Sequence, residues 1–150
     1  MTETNRDMYY WDTSALVKQF IEEAGTRDVT AWRLQAPPHA TATIAFTEAF
    51  SAFRRRVRES ALKEPQYQEV VRRFLREWPS YVRITLDEGV LDRSRSLLER
   101  HALRTLDAIH LASALQLQDH LDEPSVLISA DARLLNAAAL ERLDIRRLPA

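Results

Sequence analysis

The 150-residue chain contains no cysteine, which excludes disulfide frameworks, thiolate zinc sites and cysteine nucleophiles together. Glycine is nearly as scarce, with only Gly25 and Gly89 present. Walker-type loops and dinucleotide fingerprints need several glycines where backbone approaches phosphate, so ATP-driven and NAD-dependent chemistry are poor fits. No apolar run approaches the ~18 residues needed to cross a bilayer. The segment Met1 to Asp7 is polar and acidic, where a signal peptide would be basic and then apolar. A soluble, cytoplasmic protein without a membrane partner is expected. Lysine occurs only at positions 18 and 63, leaving 19 of the 21 basic residues as arginine, whose planar fork suits phosphate and carboxylate.

With 45% hydrophobic and 29% charged residues, the composition is that of a folded chain rather than a disordered one. The length suits one core, and neither a linker nor a repeat divides it, so a single domain is expected over 1–150. The net charge of -1 conceals an asymmetry. Residues 54 to 83 hold nine basic and four acidic side chains, and the remainder holds 12 basic and 18 acidic ones. Solvated helix faces with alternating charge explain part of this; a phosphate-facing lobe beside an acidic centre explains it as well.

Apolar runs alternate with helical periodicity along the chain. Met8-Tyr9-Tyr10-Trp11 reads as a strand that breaks at Asp12-Thr13-Ser14 into a helix bearing Ala15, Leu16, Phe20 and Ile21, stopped by Gly25. A helix over 26–34 precedes the break at Pro37-Pro38 and a short strand at Ala40-Thr41-Ala42. The next helix, 43–60, carries an apolar stripe of Phe46, Phe50, Phe53 and Val57. Pro65 opens another helix, which ends at Trp78-Pro79. A third strand at 81–85 leads into a helix from Asp87, and a helix over 105–118 is apolar around nearly its whole circumference and should be buried. An apolar strand at 125–129, a helix to about Leu140 and a strand at 144–148 complete the order. Strands separated by helices imply parallel pairing, hence an α/β fold with a central parallel sheet of about five strands and helices on both faces.

Residues that immediately follow parallel strands converge at one sheet edge, however distant in sequence. Here that edge collects carboxylates: Asp12 after the first strand, Asp131 after the fourth, Asp107 at the start of the buried helix, and Glu48 about one turn into the helix after the second strand. Grouped carboxylates stay ionised mainly with a cation among them, and a hard divalent ion with oxygen ligands is the natural occupant. Helix capping is the plainer account of each aspartate. Glu48 cannot cap, but it falls beside Ile44, Ser51 and Arg55, opposite the phenylalanine stripe, as a solvated residue would.

Asp12-Thr13-Ser14-Ala15-Leu16, Phe46-Thr47-Glu48, Leu106-Asp107-Ala108-Ile109-His110-Leu111-Ala112 and Ile128-Ser129-Ala130-Asp131 resemble the successive motifs of PIN domains. More narrowly, they resemble the VapC-type toxins of toxin–antitoxin pairs. The resemblance covers about Met8 to Leu148. Its most specific piece is the Asp107-Ala108-Ile109-His110 segment, and its mild departure is Ser129, where many relatives carry threonine. It implies a three-layer α/β/α fold and a Mg²⁺- or Mn²⁺-dependent endoribonuclease. Asp12, Asp107 and Asp131 would be metal ligands, and Glu48 would orient or deprotonate the attacking water. It also implies an RNA substrate, a cognate antitoxin and a homodimer formed through the region of Phe46, Phe50, Phe53, Phe74 and Trp78, although each of these residues, taken singly, reads first as core.

Ser14 and Ser129 place hydroxyls beside the acidic edge, Ser14 reading first as an N-cap. His110 lies one turn after Asp107, as a hydrogen-bonded core histidine or as a group orienting that carboxylate. Lys18 reads as a solvated lysine. Arg54, Arg55, Arg56 and Arg58, with Arg72, Arg73 and Arg76, are candidates for guiding RNA or for pairing with neighbouring glutamates. Two other readings remain. A phosphoacceptor receiver domain would need a lysine at the end of a late strand, and none is there. A PIN-like module that binds RNA or protein without cutting is the second. In the ribonuclease reading, Asp12→Asn abolishes cleavage while leaving the fold intact; full activity of the folded variant would remove Asp12 from the mechanism.

Overall fold

The structure, a computed structural model, describes residues 8–35 and 38–150. Met1 to Asp7, and Pro37 of the expected break, lie outside these residues. In chain order the elements are β1 (Met8–Trp11), α1 (Thr13–Val17), α2 (Thr26–Arg33), β2 (His39–Ala42), α3 (Ile44–Arg58), α4 (Glu64–Glu77), a 3₁₀ turn (Trp78–Ser80), β3 (Val82–Ile84), α5 (Glu88–Arg100), α6 (Thr105–Leu121), β4 (Ser125–Ser129), α7 (Ala132–Leu140) and β5 (Asp144–Arg147). The strands form one sheet in the order β3-β2-β1-β4-β5, every neighbouring pair parallel.

Parallel strands covered on both faces need apolar side chains on both, which is why β1 and β4 are apolar without polar alternation. The two-residue period survives as a choice of face. Met8 and Tyr10 pack with Val90, Leu97, Leu111 and Leu134 on the α5–α7 side. Tyr9 and Trp11 pack with Leu16, Phe53 and Phe74 on the α1–α4 side. The result is the three-layer α/β/α arrangement. α6 is buried on most of its surface, from Ala108 through Leu115, because it lies against β2 and β4 with α5 and α7 beside it.

The chain builds outward from β1 through β2 to β3, then returns to place β4 on the other side of β1. The crevice beyond the carboxyl ends of β1 and β4 is thus the sheet's topological switch point. Asp12 follows β1 and Ser129 closes β4, with Trp11 in register with Ile128.

The expected helix from Ala15 towards Gly25 is a single turn. After Val17 the bonds Gln19 N–H to Leu16 O and Phe20 N–H to Val17 O tighten the backbone into turns, which still deliver Phe20 and Ile21 to the core. Gly25 therefore begins α2 rather than ending α1. It sits at φ 91°, and a Cβ there would meet Pro149 Cδ at 3.1 Å, so both conformation and space require glycine. The third and fifth strands are slightly shorter than expected, and Tyr81 instead turns into the core beside Trp78.

The phenylalanine stripe of α3 meets α4 in an aromatic cluster. Phe74 is fully buried and makes edge contacts with Phe20, Phe50 and Phe53 at centroid distances of 5.3, 5.5 and 5.6 Å. Tilted contacts reach Phe46 and Trp78. Phe53 and Phe74 are core, whereas Phe46, Phe50 and Trp78 are half-buried. Phe74→Ala should cost about 3–5 kcal/mol in urea unfolding; a loss below about 1 kcal/mol would mean that the cluster is not tightly packed.

Candidate active site

β1 ends in a polar clasp built from both sides of the switch point. The Asp12 carboxylate caps α1, Oδ1 accepting from Ala15 N–H at 2.9 Å and from the Ser14 hydroxyl at 2.7 Å. Oδ2 accepts from the Ser129 hydroxyl at 2.5 Å. Ser129 Oγ in turn accepts from Asp131 N–H at 2.9 Å, and Ser14 Oγ from Ala130 N–H at 3.1 Å. Ser14 is therefore not the N-cap of α1: Asp12 holds that position, and Ser14 laces β1 to the loop after β4. Burial pushes the Asp12 carboxyl above its ordinary range, opposed by His110, Ser129, Ala15 and Ser14.

Asp131 caps α7 by accepting from Arg133 N–H and Leu134 N–H on Oδ1, at 2.9 and 3.2 Å. Asp107 does not cap; Arg104 occupies the N-cap position of α6, and Asp107 stands three residues further on. Its Oδ2 is buried without a hydrogen-bond partner. Burial first and Asp131 second push its carboxyl up, with Arg104 opposing.

Glu48 faces the same cleft, held by two donors that cross the fold. The Thr13 hydroxyl donates to its Oε1 at 2.7 Å, and His110 Nε2 lies 2.8 Å from that oxygen. Behind the imidazole, His110 Nδ1 is 2.8 Å from the buried Tyr10 hydroxyl, so the ring is clamped at both nitrogens. Burial raises Glu48, but the hydrogen bond and charge of His110 and the Thr13 hydroxyl outweigh it, holding the carboxyl below its ordinary range. His110 is thus a hydrogen-bonded core histidine whose orienting contact goes to Glu48 rather than to Asp107. Tyr10 and Thr13 were not legible as parts of the site; Thr13's position directly after Asp12 was the one available signal.

All four carboxylates line one cleft of about 1220 Å³. Of the arginines considered for RNA, Arg55 and Arg56 line it. Arg54 is engaged by Glu64 and stacked over Tyr67, and Arg58 lies outside the lining. Arg56 pairs with Glu23, which also binds Lys18 Nζ at 3.1 Å. Lys18 is only 3% exposed: the tight turn after α1 folds it under Glu23, so it is not a solvated lysine. Among the described residues, no three His, Asp or Glu side chains stand close enough to enclose a metal ion as placed. The donor chemistry nevertheless fits a hard divalent cation, with oxygen ligands only and Asp107 Oδ2 lacking any donor.

The family model of the PIN domain matches residues 9–140. The chain belongs to the PIN domain family. A curated relative, Ribonuclease VapC45 of Mycobacterium tuberculosis (strain CDC 1551 / Oshkosh), is 28% identical over 132 residues, covering 88% of this chain and 89% of that protein. Among solved structures, a toxin-antitoxin complex from Klebsiella pneumoniae is similar with a TM-score of 0.58 and 22% identity, covering 83% of this chain and 88% of that one. FitAcB from Neisseria gonorrhoeae is similar with a TM-score of 0.65 and 16% identity, covering 92% and 96%. The PIN fold thus extends over nearly the whole described chain, and the carboxylate cleft lies at its switch point.

In this PIN domain the ionised Asp107 is unfavourable to the fold. Because its carboxyl binds a proton more tightly in the native state than in the unfolded chain, its ionisation lowers stability as pH rises from about 4 towards neutral. Asp107→Asn, which breaks no hydrogen bond, should raise the melting temperature at pH 7. The gain should vanish below about pH 4, where the parent carboxyl is protonated. A variant less stable than the parent at pH 7 would refute this account.

Proposed function

We propose that the protein is a metal-dependent endoribonuclease acting as a single PIN-like domain, the toxin of a type II toxin–antitoxin pair. The observation that carries this reading is the gathering of Asp12, Asp107, Asp131 and Glu48 on one cleft, with the buried Asp107 Oδ2 lacking a donor. The ribonuclease name of the mycobacterial relative and the toxin–antitoxin complexes among the fold neighbours support the same activity and partner.

Asp12, Asp107 and Asp131 would hold Mg²⁺ or Mn²⁺. Held there, the cation would supply charge neutralisation for the phosphoryl oxygens and would lower the pKa of water. Glu48, kept ionised and aimed by His110 and Thr13, orients the attacking water and accepts its proton. Ser14 and Ser129 keep Asp12 in place by donating one hydrogen bond to each of its oxygens, which leaves Oδ2 a free lone pair for a cation. Arg55 and Arg56 on the α3 wall offer positive charge to the RNA backbone. The half-buried Phe46, Phe50 and Trp78, with Leu75 48% exposed, leave apolar surface on α3 and α4 for a second copy and for the antitoxin. No helix among the described residues is long and apolar enough to cross a membrane.

The second reading, a PIN-like module that binds without cutting, is favoured by one observation: no three carboxylates stand within reach of a shared ion as placed. Mapping new RNA 5′ ends after brief induced expression of the parent and of Glu48→Gln separates the two. Discrete cuts with the parent, reduced at least about a hundredfold in the variant, are expected. No cuts from folded parent protein, together with no Mn²⁺ binding in calorimetry, would overturn the ribonuclease reading and favour the binding module.

A further inference from the structure

Asp107 and Asp131 already share a cation, supplied by the chain itself. Arg104 directs its Nε at Asp107 Oδ2 and its Nη2 at Asp131 Oδ2, each at 3.6 Å. These separations exceed hydrogen-bonding distance, so the guanidinium is attracted by charge without being locked by geometry. Its side chain is 78% exposed, and among the described residues it makes no side-chain hydrogen bond. Arg56, also in the cleft lining, differs, being engaged by Glu23.

A loosely held guanidinium across two carboxylates faces the same oxygens a divalent cation would take, Asp107 Oδ2 without a donor among them. A cation binding there competes with Arg104 for those oxygens. Once it is displaced, Arg104 remains tethered at the N-cap of α6, beside the carboxylates and inside the cleft lining. Its planar fork then matches the next anion to arrive, a backbone phosphate.

We propose that Arg104 is a phosphate-binding residue of this site that rests on Asp107 and Asp131 until a divalent cation takes these carboxylates, and then turns to the RNA backbone. The assignment rests on the ribonuclease reading. Coupling is reciprocal, so whatever the cation does to Arg104, Arg104 does to the cation. Removing its charge must therefore tighten cation binding while weakening RNA binding, a pair of opposite effects that a structural role for Arg104 would not produce.

The test uses Arg104→Gln in the full chain, with its fold checked by circular dichroism. Calorimetric titration with Mn²⁺ alone should show affinity about two- to fivefold tighter than in the parent, the scale of an exposed ion pair. A labelled mixed-sequence RNA oligonucleotide at saturating Mn²⁺, with Glu48→Gln in both proteins to silence cleavage, should bind several-fold more weakly. The slope of log affinity against log salt should fall by roughly 0.7, the value for one single-strand phosphate contact. Unchanged or weaker Mn²⁺ affinity, or unchanged RNA affinity and salt slope, would overturn the role of Arg104 alone. Absence of Mn²⁺ binding by both proteins would overturn the metal-dependent reading itself, and Arg104's role with it.

Discussion

The Asp12 carboxylate lies where β1 and β4 diverge, 4% exposed, and its hydrogen-bond donors come from both sides of that seam. A carboxylate so deeply placed is tolerable only when its oxygens are hydrogen-bonded. Ser14 and Ala15 provide donors from its own turn and Ser129 provides one from β4, so the group keeps its partners only while the two strands hold register. The same Ser129 hydroxyl accepts from Asp131 N–H, which fixes the start of α7 and therefore the third aspartate. One buried charge thus couples the middle of the sheet to two helix starts, with apolar layers packed on both faces to keep it in place.

Across the cleft the electrostatics run the other way. Asp131, at the start of α7, pushes up the Asp107 carboxyl in the first turn of α6, and Asp107 Oδ2 lacks a donor. Arg104 offsets part of this from the surface, where solvent weakens it. Glu48 is the opposite case, stabilised in its ionised form by His110 and Thr13. Two carboxylates pushed up and one held down spread the proton affinities apart within a single cleft, as is common where side chains are grouped for function. Stability is conceded at Asp107 and kept at Glu48.

The fold class was legible because its signals are local. Apolar strands without polar alternation require two covered faces, and α6, apolar all round, requires a central position; both are found. The four carboxylates were legible from their positions after strands and at helix starts. The partners of those carboxylates were not. His110 follows Asp107 by one turn, which suggests a local contact, yet its ring reaches Glu48, 62 residues away in sequence. Lys18 reads as solvated until the turn after α1 places Glu23 against it, and the periodicity through Phe20 and Ile21 mimics a helix that the backbone abandons at Val17.

What the sequence determined by itself is the alternation of strands and helices, the parallel sheet, and the acidic residues at its carboxyl edge, because each depends on short-range periodicity and on rules of strand connection. Only the tertiary structure decided which oxygens are satisfied and which are not: Asp12 clasped by Ser129, Glu48 by His110 and Thr13, and Asp107 left facing Arg104. Hydrogen bonds and ion pairs act over a few ångströms between residues brought together by the sheet, and that proximity is set by packing rather than by spacing along the chain.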